Sequence, residues 1–262
     1  MQDRPTLSQP VDLAYSENGE GTPLVLLHGF PFNHSIWRAQ VEALSGDCRI
    51  ITPDLRGHGD SPAPDGAYTM ALMAQDVIAL LDRLHIEKAI IVGHSMGGYV
   101  TLAAWRLAPE RFQGFGVVAS HHKADPEQKQ RDRYALAEAV EERGAEAALN
   151  PNLFSPSTPE SSPARALVEQ LTLATPPAGI IGALLGMASR PDSTALLETI
   201  TVPGAVVTGV EDALVPVERA REMALAMPDA LLTVVNNAGH MPMLEQPDDV
   251  NSALRALLKR AG

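Results

Sequence analysis

Short apolar runs recur along the chain at 24–28, 49–54, 88–93, 114–119, 204–208 and 231–235, each bounded by Gly, Pro or Asp. Val, Ile and Leu dominate them without the alternation of a half-exposed strand. They therefore predict strands covered on both faces, as in a parallel sheet. Between them, 69–85, 96–107, 216–227 and 247–260 carry apolar residues at helical spacing. Strand alternating with helix predicts a doubly wound α/β fold. The rhythm breaks from 121 to 197, where no strand is predicted. Residues 125–149 read as a charged helix, 150–163 as a Pro- and Ser-rich loop, and 164–175 and 177–188 as two further helices. The expected organisation is one core, 1–120 and 198–262, interrupted by a helical cap at 121–197, because the flanking strands complete a single sheet.

Composition changes this picture in a few places. Aromatic residues are only 4% of the chain, so the core must be built from Ala, Leu, Val, Ile and Met. The net charge of −12, with no local run of Lys or Arg, argues against nucleic acid or an anionic membrane surface as partner. A single cysteine, Cys48, excludes an intrachain disulfide and suits a reducing compartment. Met1-Gln2-Asp3-Arg4-Pro5 is followed by no apolar segment of the kind a secretory signal needs. The longest apolar stretch, 180–187, is broken by Gly182 and Gly186 and is too short to span a bilayer. A cytoplasmic protein, monomeric or dimeric, is the expectation.

The candidate chemistry begins at Gly93-His94-Ser95-Met96-Gly97, a G-x-S-x-G pattern. The pattern alone is weak, but here it joins a predicted buried strand directly to a predicted helix, the setting such a nucleophile turn requires. A turn this sharp lifts the Ser95 hydroxyl above the sheet, and a side chain at Gly93 or Gly97 would collide across it. The helix start beneath Ser95 offers free N–H groups to a developing negative charge. A tetrahedral intermediate needs two preorganised donors. One is assigned to the N–H of Met96. The other is assigned to Phe30 in His28-Gly29-Phe30-Pro31, since Pro31 has no N–H; the Phe30 ring is also a candidate to line an acyl pocket.

A serine hydroxyl needs an adjacent general base. Of the eight histidines, His240 follows the last predicted strand, at the rim where Ser95 also emerges. Gly209-Val210-Glu211-Asp212 follows the preceding strand at the same rim, so Asp212 or Glu211 can hold the other imidazole nitrogen. Asp212 is preferred on its G-x-x-D spacing, with Glu211 read as a solvated loop charge. The order Ser95, Asp212, His240 differs from that of chymotrypsin- and subtilisin-type enzymes. An acid placed instead after the 114–119 strand is closed off, because that region reads Ala119-Ser120-His121-His122. His28 and His94 read as buried and hydrogen-bonded, and His58 as structural. His121 and His122 lack the Cys, Asp or Glu partners of a metal site, so no metal is expected; a substrate-facing role for one of them is left open.

These segments, together with Pro53-Asp54-Leu55-Arg56-Gly57-His58-Gly59-Asp60-Ser61 and Gly239-His240, resemble the α/β-hydrolase superfamily. The likeness is greatest to small bacterial carboxylesterases with a helical cap, thermophilic ones included; the stretch from Gly186 to Ser193 is also similar to theirs. The resemblance implies a mostly parallel eight-stranded sheet with a helical cap inserted after the sixth strand. It also implies a cofactor-free serine hydrolase of short- to medium-chain esters, acting on a small-molecule ester through an acyl-enzyme. One departure stands out. Where such esterases often carry Asp-Thr entering the cap, this chain has Ser120-His121-His122. Enol-lactone hydrolysis with the same residues is a second enzymatic reading, and its carboxylate-bearing substrates would need a cation such as Arg56, His121, His122 or Lys123. Perhydrolysis of short acids is a third, and a non-catalytic receptor on the same fold is the reading from a different class. Dehalogenation by an aspartyl nucleophile is excluded by serine at 95.

Overall fold

Strand residues that follow one another in sequence enter different halves of the core. Leu24, Leu26, Ile90, Val92, Ala205 and Val207 pack on one side of the sheet, while Val25, Leu27, Ile91 and Val206 pack on the other. This two-sided burial is why the runs are continuously apolar rather than alternating. The computed structural model describes residues 9–262; the stretch Met1 to Pro5, read above for the lack of a signal, lies outside them.

The strands are β1 (Tyr15–Asn18), β2 (Pro23–Leu27), β3 (Arg49–Pro53), β4 (Ala89–His94), β5 (Phe112–Val118), β6 (Gly204–Gly209) and β7 (Ala230–Val235). They form one sheet in the order β1-β3-β2-β4-β5-β6-β7, parallel throughout except for β1, which runs antiparallel to β3. The helices are α1 (Arg38–Leu44), α2 (Met70–Arg83), α3 (Met96–Leu107), α4 (Glu127–Arg143), α5 (Pro163–Ala174), α6 (Pro177–Ala188), α7 (Thr194–Leu197), α8 (Val217–Ala226), α9 (Pro242–Glu245) and α10 (Pro247–Ala261). Apolar residues of α2, α3 and α8 cover one face, including Val77, Val100 and Met223; those of α1 and α10, including Leu44 and Leu254, cover the other. This is the α/β-hydrolase arrangement the sequence pointed to.

Two features of the expectation are corrected. The described residues form seven strands rather than eight, and the helical insertion α4–α7 follows the fifth of these strands rather than the sixth. In the described stretch ahead of β1 the backbone groups are satisfied outside a ladder: the Val11 N–H donates to Asp76 Oδ1, the Ala14 N–H to Ser61 Oγ, and the Ala14 carbonyl accepts from the Asp54 N–H. The six predicted strands and the helices at 70–83, 96–107, 163–174, 177–188, 217–226 and 247–261 are all present, with ends shifted by at most a few residues.

The insertion leaves the sheet after β5 and returns at β6. Among the described residues no single helix is long and apolar enough to cross a membrane; α5 and α6 are separated by a 97° bend.

Candidate active site

Parallel strands deliver their C-terminal loops to one edge of a sheet. β4 leads into Ser95, β6 ends three residues before Asp212, and β7 ends five residues before His240. At the turn after β4, the backbone of Gly93 passes so close to α3 that an added methyl would lie 2.1 Å from the carbonyl carbon of Gly97. Only glycine allows this crossing, as the sequence required.

Ser95 itself has φ 49° and ψ −112°, a conformation costing an L-residue of order 1–3 kcal/mol. Hydrogen bonds on both sides of its peptide hold it there. Its N–H donates to the Val118 carbonyl at 2.9 Å, and its carbonyl accepts from Gly98 N–H at 2.9 Å and from the Ser120 hydroxyl at 2.8 Å. The strain directs the side chain outward to the edge, where Ser95 Oγ lies 2.8 Å from His240 Nε2.

His240 Nδ1 lies 2.8 Å from Asp212 Oδ2. The other Asp212 oxygen, Oδ1, accepts from the N–H groups of Leu214 at 2.8 Å and Val215 at 2.9 Å. The carboxylate is thereby fixed in orientation, and both Asp212 and His240 are buried. Glu211, the alternative acid, turns away, and its carboxylate accepts from the Ser155 hydroxyl. The loop carrying His240 is tied down by three further contacts. The His240 N–H donates to the Leu153 carbonyl at 2.8 Å, the His240 carbonyl accepts from His94 Nε2–H at 2.8 Å, and the Gly239 N–H donates to Glu245 Oε2 at 2.8 Å. Leu153 and Glu245 had no signal in the sequence: one acts through a backbone carbonyl, and the other is one acid among many.

The loop after β2 lies against Ser95. A methyl on Gly29 would be 2.4 Å from His94 Nδ1 and 3.2 Å from Ser95 Cβ. The N–H groups of Phe30 and Met96 have no acceptor among the described residues, which leaves both free to donate to a bound oxygen. His28 links this loop to its neighbour. Its Nε2 accepts from the Leu55 N–H at 2.8 Å, so Nδ1 carries the proton and donates to the Gly29 carbonyl at 2.9 Å. Burial, reinforced by the nearby His58, pushes the His28 pKa down to about 3. Burial likewise lowers His58 to about 4, and it holds His94 well below its ordinary value, with His240 adding to the effect. All three rings are neutral supports.

A cavity of about 580 Å³ opens over Ser95 and His240. Phe30 lines it from the core, and Leu136, Ala148 and Leu184 line it from the insertion. Of the cations suggested as carboxylate anchors, Arg56 is removed from consideration: it is fully buried and gives Asp76 two hydrogen bonds of 2.6 and 2.7 Å. His121 and Lys123 do line this cavity, whereas His122 lines a smaller one of about 200 Å³ behind it. Lys129, Arg133 and Arg219, which the sequence did not single out, also reach the wall. Arg133 is paired with Asp125, and Arg219 with Glu222. Among the described residues no three His, Cys, Asp or Glu side chains are grouped as metal ligands would be.

The family model of the Alpha/beta hydrolase family matches residues 24–253. The chain is 37% identical to a structurally characterised thermophilic esterase from Thermogutta terrifontis, solved with malate bound; the likeness covers 96% of this chain and 94% of that one, with a TM-score of 0.92. It is 31% identical over 261 residues to 3-oxoadipate enol-lactonase 2 of Acinetobacter baylyi, covering 97% of this chain and 95% of the relative. It is 33% identical over 256 residues to the dihydrolipoyllysine-residue acetyltransferase component of an acetoin cleaving system of Pseudomonas putida; there it matches 92% of this chain but spans only 64% of the relative's length.

Proposed function

The chain belongs to the Alpha/beta hydrolase family, and on that premise we propose that it is a carboxylesterase acting on short- to medium-chain esters through Ser95, His240 and Asp212. The observation that carries this reading is the unbroken line from Ser95 Oγ to His240 Nε2 and from His240 Nδ1 to Asp212, each contact 2.8 Å, at the floor of a cavity large enough for a small ester.

In this mechanism Ser95 Oγ attacks the ester carbonyl carbon while His240 Nε2 takes the hydroxyl proton. The carbonyl oxygen gains the negative charge and accepts from the Phe30 and Met96 N–H groups. Asp212 keeps the imidazole in the tautomer with the proton on Nδ1 and stabilises the imidazolium. The intermediate then collapses: the C–O bond to the alcohol breaks, and His240 returns its proton to the leaving alkoxide. A water, deprotonated by the same imidazole, attacks the acyl-enzyme. The acid leaves and the Ser95 hydroxyl is restored. The insertion acts as a cap over the cavity, with Leu136 and Leu184 favouring an apolar substrate arm.

Ser95→Ala should lower kcat on p-nitrophenyl butyrate by roughly a thousandfold or more. A fluorophosphonate should label the wild-type chain and not the variant. Hydrolysis retained by Ser95→Ala would overturn the mechanism, and labelling without turnover on any ester would favour the receptor reading. One observation supports a second substrate class, a lactone or ester bearing a carboxylate. Lys123 lines the cavity, and its Nζ donates to Thr194 Oγ1 at 3.2 Å rather than to an acid. An enol-lactone turned over far faster than any p-nitrophenyl ester would reverse the ranking.

A further inference from the structure

Two side chains, Tyr99 and His121, line both the 580 Å³ cavity over Ser95 and the 200 Å³ cavity behind it, so they form the wall between the two. Both are held by Arg190. Tyr99 stands one helical turn after Ser95 on α3, and the Arg190 guanidinium lies over its ring at 4.0 Å. Arg190 is itself held by Asp125 Oδ1 at 2.8 Å and by the carbonyls of Met187 and Lys123, both at 3.1 Å. His121 packs edge-on against Tyr99, with ring centroids 5.3 Å apart, and accepts one hydrogen bond, from Arg190 to Nε2 at 3.2 Å. With Nε2 accepting, Nδ1 carries the proton, and it has no partner. A single side-chain hydrogen bond thus holds the imidazole in the wall.

Met70, Ala71, Leu102, Ala103, Leu107 and Pro191 are six of the twelve residues lining the space behind it, and of the two arginines among the rest Arg190 is paired with Asp125 and Arg106 donates to Ser193 Oγ. Burial, with the Arg190 charge beside it, pushes the His121 pKa down to about 3, so the ring facing either cavity is uncharged under ordinary conditions. A largely apolar chamber behind a neutral door fits a hydrocarbon chain.

We propose that the Tyr99–His121 wall sets the chain-length limit of the substrate, and that the cavity behind it is a subsite for the far end of a straight alkyl chain, admitted when His121 swings aside. This rests on the ester-hydrolase reading, and the two are tested by different quantities: butyrate turnover by the wild-type protein tests the reading, and the decanoate-to-butyrate ratio of kcat/KM within each variant tests the wall. A ratio taken within one variant is insensitive to the fraction of protein folded.

His121→Ala should raise that ratio about tenfold, the factor that roughly two newly buried methylenes supply. Ala103→Phe fills the second cavity from α3 without lining the first. Alone it should lower the ratio several-fold, and combined with His121→Ala it should cancel the gain. Running p-nitrophenyl acyl esters beside straight-chain alkyl acetates identifies which arm of the ester enters: the series whose length profile shifts is the one. An unchanged profile in both series for His121→Ala would overturn the proposal. So would a gain that survives Ala103→Phe, since the extra room would then lie elsewhere. Should His121→Ala fail to fold, Ala103→Phe alone decides, with an unchanged ratio counting against the subsite.

Discussion

Asp212 and Glu211 are adjacent acids in one loop, and the peptide geometry after β6 sends them opposite ways. Asp212 accepts two backbone N–H groups on one oxygen and faces His240 with the other. Glu211 accepts from Ser155 on the insertion. Asp212→Asn keeps an oxygen for Leu214 and Val215 but presents an amide N–H to His240 Nδ1, which favours the wrong tautomer. Its kcat on p-nitrophenyl butyrate should fall by ~10³–10⁴-fold with the fold retained, whereas Glu211→Gln should stay within about twofold. Equal losses in the two variants would refute this division. Ser95, Asp212 and His240 were legible because each follows a strand whose apolar signal is strong. Chain order, strand order and rim position all agreed. The supports were not legible: the Leu153 carbonyl carries no side-chain signature, and the Lys129, Arg133 and Arg219 side chains are brought to the cavity only by folding of the insertion and of α8.

At the scale of elements, α6 shows how the insertion is seated on the core. Gly182 and Gly186 appear in the sequence merely as interruptions of an apolar stretch, yet the helix meets the loop before α2 through them. A methyl on Gly186 would lie 1.7 Å from the Tyr68 carbonyl oxygen, and Tyr68 in turn donates its N–H to the Gly182 carbonyl at 2.8 Å. Gly186→Ala forces backbone against backbone, so the overpacking cost of 1–3 kcal/mol is a lower range. The thermal midpoint should fall by roughly 5 °C or more. Gly46→Ala, where an added methyl meets nothing within 4 Å, should leave it unchanged. A Gly186→Ala protein as stable as the parent would show that α6 is not seated this way. Two of the elements missed in the sequence, β1 and α1, show why short segments escape such a reading. β1 is an edge strand of polar residues, Tyr-Ser-Glu-Asn, exposed or half-exposed throughout, and α1 is seven residues long with little room for a period to register. Neither is long enough, and β1 not apolar enough, to write a pattern.

At the scale of the whole molecule, the doubly wound sheet was legible because both of its faces are covered, and a continuous apolar strand has few other homes. What the pattern could not convey is how polar the second layer of the core is. His28, His58, His94 and His122 are buried and His121 half-buried as neutral rings; burial lowers the pKa to about 3 for His28 and His121 and about 4 for His58, holds His94 well below 6.5 and lowers His122 as well. In the unfolded chain all five return to about 6.5. Below that pH the unfolded chain binds protons that the folded chain refuses, so stability falls as pH drops from about 6.5 towards 3 to 4. Each tenfold gap in proton affinity is worth ~1.4 kcal/mol, against a total stability of ~5–15 kcal/mol. His34 acts in the opposite sense. Its hydrogen bond to Asp54 raises its pKa, so its contribution is complete below 6.5 and disappears as pH rises through the elevated value. One such group offsets part of the loss from five. For Asp54 and Asp125 burial opposes ionisation, but hydrogen bonds from His34 and Asp60, and from Arg190 and Arg133, hold both below the usual carboxylate value. Their contribution is present above about 3.8 and is lost only as pH falls below it. The urea midpoint should therefore decline steadily from pH 6.5 to 5 as the histidines act; below pH 4 Asp54 and Asp125 add to the fall, while Asp76, which burial raises above the usual carboxylate value, offsets part of it. A midpoint unchanged from pH 7.5 down to 5 would mean that the buried rings protonate freely in the folded protein.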